Sequence, residues 1–141
     1  MKADVNRSNA VRLALYVVAA HAAVLVVHSA AHEILGVKAS TPQLAFIVAV
    51  IIAAPLVAGL LLWKRKVKAG ALLLACSMAG SLVFGVYYHF VADTPDHVAR
   101  VALMSPAGWA VAFQASALLL SLAEALGAWA AWLVLKKSSA G

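Results

Sequence analysis

Four long apolar runs, Val11–Leu35, Pro42–Trp63, Gly70–Val91 and Pro106–Leu135, alternate with short polar breaks. Each exceeds the ~18 residues that carry a helix across a hydrocarbon core of about 30 Å. The pattern predicts an all-α integral membrane protein, a four-helix up-down-up-down bundle, because short connections force neighbouring helices to run in opposite directions. Helices are expected at about 11–35, 42–63, 70–93 and 106–135, with a short outer helix at 95–104, all in a single transmembrane domain spanning 1–141.

The breaks carry their own signals. Gly36 is a usual C-terminal stop. Thr41-Pro42, Thr94-Pro95 and Ser105-Pro106 each place a hydroxyl before a proline, which reads as a helix start on the outer side. Pro95 also disfavours a helical Thr94, so the third helix should break near Asp93 and leave His97 on a separate element. Pro55, followed a turn later by Gly59, predicts a kink in the second helix, which carries no ionisable residue and is read as scaffold. The polar first ten residues are expected to be loose or interfacial, and the small residues in every run allow close helix approach.

Composition strengthens this picture. The chain of 141 residues is 65% hydrophobic and 11% charged, with a mean hydropathy of +0.97, which excludes a soluble globular domain. A net charge of +6 raises the question of nucleic acid, but no basic face exists on any folded element. Topology accounts for the charge instead. Lys2, Arg7, Arg12, the Lys64-Arg65-Lys66 and Lys68 loop, Lys136 and Lys137 fall on one side, and only Lys38 and Arg100 on the other. The positive-inside rule then puts both termini in the cytoplasm of a plasma (inner) membrane. Aromatic residues follow the same division, with Tyr16, Trp63, Trp129 and Trp132 near the inner interface and Tyr87, Tyr88 and Trp109 near the outer one. Basic residues ahead of the first run and Ser29-Ala30-Ala31 near its end imitate a cleavable leader, yet the run is expected to remain part of the chain. Cys76, the single cysteine, is expected to be a small core residue.

The chemistry lies in the histidines, all five of which belong to the first and third runs or the break just after the third. Spacings of seven and four residues put His21, His28 and His32 on one face of helix one, with Glu33 beside them. On helix three, Ser77, Ser81, Gly85, His89 and Asp93 recur every four residues as a small, polar stripe. At about 1.5 Å of rise per residue, His28 and His32 reach the height of His89 and Asp93. Neutral imidazole and carboxylate oxygen, two ligands per helical turn, suit a divalent transition ion. The expected metal ligands are therefore His28, His32, His89, Asp93 and His97, with zinc or iron favoured and room for two ions; Glu33 and Asp96 are the expected catalytic proton carriers. Ionisable residues in a membrane helix are a functional signal by default, although a lone one such as His21 serves as well in a structural hydrogen bond. Glu124 is expected to be buried in helix four, paired with His21 or bonded to Ser121, and Gln114 to support a liganding histidine.

Three functions fit these residues. The first is a membrane metalloprotein with an outward site, acting as an oxidoreductase or hydrolase on a lipid-soluble substrate. The second is a b-type cytochrome with haem between a histidine of helix one and one of helix three. The third is an ion or metal transporter component. The lipid bilayer is the expected partner, nucleic acid is not, and self-association is compatible with the small-residue faces.

Overall fold

The structure is a computed structural model that describes the backbone of residues 2–138 and the side chains of residues 7–138. Among the described residues it is entirely helical: α1 (Lys2–Leu35), α2 (Thr41–Trp63), α3 (Val67–Val91), a single turn α4 (Val98–Val101) and α5 (Ala107–Ser138). Four of these, α1, α2, α3 and α5, are long and apolar enough to cross a membrane. Both α1 and α3 pack along α5, and α2 joins mainly through α3.

Two apolar clusters hold the helices. Ala10, Ala14 and Val18 from the start of α1 meet Ala58 and Leu62 from the end of α2, Ala71, Leu74 and Met78 from α3, and Ala130, Ala131 and Val134 from the end of α5. The alanines bring backbones close, and Gly70 and Gly127 do so further: a methyl at Gly70 would stand 2.9 Å from the backbone nitrogen of Leu62. A second cluster joins Ala31 and Val37 to Val101, Ala110 and Phe113.

Local chemistry explains where the helices depart from expectation. No breaker separates Lys2 from Ala10, so α1 includes the polar first residues that the sequence reading left loose, with Arg12 donating to Asn9 Oδ1 at 2.6 Å. Gly36 ends α1 as expected, in a left-handed conformation (φ +68°) that lets the Val37 N–H bond back to His32 O at 3.0 Å. The cap of α2 is Ser40, one residue before the expected Thr41: Gln43 Oε1 accepts from both the Ser40 N–H and Oγ at 2.7 Å. Ahead of Pro55, where a kink was expected, α2 contains a π-helical stretch, Ile47–Ala53. Proline supplies no N–H and its ring crowds the preceding carbonyls, and a wider turn ahead of it relieves both.

A second π turn, Tyr87–Val91, ends α3, and the chain becomes extended at Ala92. Thr94 does not start a helix; its Oγ1 donates to Tyr88 O at 3.2 Å and so closes the end of α3, while His97 caps the four-residue α4. The outer helix expected over 95–104 is therefore reduced to one turn. Cys76, expected in the core, lies on an exposed face.

Candidate metal centre

His28 and His32 stand one turn apart near the end of α1, and His89 sits in the π turn of α3. Their three ligand atoms lie within 4.8 Å of one another. The rings are packed edge to face or tilted, with centroids 4.8 Å (His28–His32), 5.0 Å (His28–His89) and 6.0 Å (His32–His89) apart. Phe113 of α5 is fully buried and touches all three, at 4.7, 4.8 and 5.3 Å between centroids.

Hydrogen bonds fix which nitrogen each ring presents. His32 Nδ1 lies 3.0 Å from Val37 O and His89 Nδ1 lies 3.0 Å from Asp96 O. A carbonyl only accepts, so both Nδ1 atoms carry the proton and each neutral ring keeps a bare lone pair on Nε2. His28 Nδ1 meets Ser116 Oγ at 2.9 Å, and Ser116 Oγ in turn donates to Phe113 O at 3.0 Å, which makes its oxygen an acceptor for the His28 Nδ1–H. His28 Nε2 then faces His32 Nε2 at 3.2 Å. Two bare lone pairs at that distance repel unless a cation lies between them or His28 moves its proton to Nε2. A tetrahedral zinc with bonds of about 2.1 Å holds nitrogen ligands about 3.4 Å apart, so His28 and His32 already have a ligand spacing and His89 needs a small approach.

The triad lines one end of a cavity of about 490 Å³. Glu33, Lys38 and Asp96 share that end, Phe84 and Ile51 form apolar wall, and Glu124 and Ser121 lie deeper. Phe113 is not part of this lining, so it covers the opposite side of the triad.

The expected ligand set is thus divided. The structure brings together His28, His32 and His89, with Glu33 and Asp96 on the same cavity, and sets Asp93 and His97 apart. Because α3 ends at Val91, Asp93 leaves the helical stripe and binds Arg100 through two contacts, Oδ1 to Nε at 2.6 Å and Oδ2 to an Arg100 Nη at 2.8 Å. The Arg100 guanidinium holds the Asp93 carboxyl below its usual range, first by hydrogen bonding and then by charge. His97 uses Nδ1 to accept from the Ala99 N–H at 3.2 Å. Gln114, expected to support a histidine, donates to Val98 O at 3.1 Å; Ser116, two residues on and on the other side of α5, takes that role. Deeper still, His21 and Glu124 are both buried, with Nε2 and Oε1 3.5 Å apart.

Sequence reasoning did not single out Phe113, Ser116 or the carbonyls of Val37 and Asp96. The pair Phe113 and Ser116, three residues apart near the start of the fourth run, was the available signal for the first two. The carbonyls have none beyond Gly36, which folds Val37 back over His32.

No protein-family model matches the chain, and neither the curated proteins nor the solved structures include a significant match.

Proposed function

We propose that the protein is a small integral membrane metalloprotein in which His28, His32 and His89 hold one divalent transition ion at the outer side of an up-down-up-down bundle. A single observation carries this reading: three imidazoles from two helices, each with Nδ1 engaged by an acceptor, gather their ligand atoms within 4.8 Å at the head of a cavity. Outer contacts of that kind orient liganding histidines and fix their tautomers. Three protein nitrogens with one position left open is the coordination pattern of catalytic zinc, which fits this all-nitrogen set best, with Fe(II) next. The cavity, apolar in its walls and charged at its rim, suits a lipid-soluble substrate, and in this reading Glu33 and Asp96, which line it, carry protons for hydrolysis or oxidation there.

Orientation follows from charge. The basic residues cluster at the ends joined by the larger alanine-rich core, which makes that end cytoplasmic and the histidines external. The b-type cytochrome is disfavoured by geometry, since haem needs two imidazoles opposed across a macrocycle and these rings pack directly on one another and on Phe113.

Elemental analysis of the protein purified from metal-supplemented cells is the test. About one ion per chain, lost on His28→Ala, His32→Ala or His89→Ala, is expected. Substoichiometric metal in the native protein and in all three variants alike would remove the proposal.

A further inference from the structure

A dication on three neutral imidazoles brings two positive charges into a low-dielectric site with no carboxylate among its ligands: Asp93 is committed to Arg100, and Glu33 and Asp96 share the head of the cavity with Lys38. We propose that the His21–Glu124 pair is the proton-release site that offsets this charge; the inference rests on the metal reading above.

The pair is placed for it. His21 is the central residue of the 29-residue span Arg7–Leu35, and Glu124 lies close to the centre of Ala107–Ser138, so both stand near the bilayer midplane. They are 2% and 3% exposed. Their approach of 3.5 Å is too long for a good hydrogen bond, and His21 Nε2 has no hydrogen-bond partner. The contact is loose and leaves both groups open to exchange.

Between them the carboxyl and the imidazole are electrically neutral only when they share one proton, and burial favours that state. Glu124 borders the cavity that the triad heads, so its carboxyl has a route to water. Gly85 of α3 is its neighbour: a methyl there would make ordinary contact with Glu124 Oε2, at 3.7 Å. The α2 and α3 residues beside the pair carry no titratable group. From α3 it meets Gly85, and around His21 the α2 wall is Ile51, Ile52 and Pro55. The cavity's remaining ionisable groups, Glu33, Lys38 and Asp96, stand with the triad at its head, where Lys38 opposes cation binding.

Seven residues of helix separate His21 from His28, a rise of about 10 Å. At that separation, and at an effective dielectric near 20, a dication weakens proton binding on the pair by on the order of a hundredfold. The pair then loses one proton through the cavity to water and changes from neutral to one negative charge.

The experiment titrates zinc into weakly buffered native protein, Glu124→Gln and His21→Gln, counting protons released per ion with a pH dye and bound zinc by elemental analysis, between about pH 6 and 8. Glu124→Gln is expected to bind zinc stoichiometrically, a few-fold more weakly, and to release about one proton fewer than native. His21→Gln is expected to move the pH at which that extra proton appears. Equal release from native and Glu124→Gln, or an unmoved profile in His21→Gln, overturns the inference while leaving the metal centre standing. Absence of zinc from the native protein overturns the metal centre itself.

Discussion

Ser116→Ala separates a metal centre from a merely well-packed group of histidines. In the metal-holding state His28 must carry its proton on Nδ1, and Ser116 Oγ, 2.9 Å away and buried, is the acceptor that keeps it there. Without the hydroxyl, the ring is free to return the proton to Nε2, where it points at the ion position. Restoring the ligand form then leaves a buried N–H without a partner, at a cost of about 1–3 kcal/mol. Loss of such outer contacts lowers metal affinity about 10–100-fold, or about 1.4–2.7 kcal/mol, and the two ranges agree.

Stability should respond differently. In the metal-free variant the His28 Nε2–H can donate to His32 Nε2, 3.2 Å away, so no donor is orphaned. The cost to the metal-free fold is then a few tenths of a kcal/mol, near the lower limit for a single hydrogen bond. The assays are chelator competition for zinc in detergent solution and thermal unfolding of the stripped protein. Native zinc affinity in Ser116→Ala, or a melting temperature that falls while affinity holds, would falsify the assigned tautomers.

Three other outcomes follow from the same geometry. Asp93→Asn should leave zinc stoichiometry and affinity unchanged by elemental analysis and competition, because its carboxylate serves Arg100. In Arg100→Gln the Asp93 carboxyl should titrate at its ordinary value by NMR; since its native value is depressed, the stabilisation it provides is present above the ordinary carboxylate range and disappears as pH falls through the native value. Gly70→Ala should destabilise more than Gly127→Ala, by about 1–3 kcal/mol in a melting assay, because its methyl would strike the Leu62 backbone nitrogen at 2.9 Å whereas the other meets the flexible Met78 side chain at 2.8 Å.

Helix number and the two neighbouring histidines of α1 were readable because both rest on composition and spacing. Runs of more than 18 apolar residues leave little choice of structure, and His28 and His32, four apart, must share a face. The reading faltered where a turn changes its pitch. A stripe with a repeat of four drifts around a regular α-helix, and His89 joins the triad from within the wider π turn at Tyr87–Val91, after which the chain leaves the helix and carries Asp93 away. Nothing local distinguishes Thr94-Pro95, which closes one helix, from Ser105-Pro106, which precedes another. Supporting groups were hidden for a different reason. Two of the three are backbone carbonyls, which every residue possesses, and the third is an ordinary serine whose role depends on the face of α5 that α1 covers.

The donor count in the triad is what resists a purely structural explanation. Buried polar groups in a stable core normally find partners. Val37 O and Asp96 O commit His32 and His89 to the Nδ1–H form, so both present a bare Nε2. Only His28 can supply an N–H to the group, and a single N–H satisfies a single acceptor. Whichever tautomer His28 adopts, at least one of the three Nε2 lone pairs receives no N–H from another ring of the triad. Phe113 seals that space on one side and the cavity opens it on the other. Under the proposed metal reading, a cation among the three rings would satisfy all of them at once.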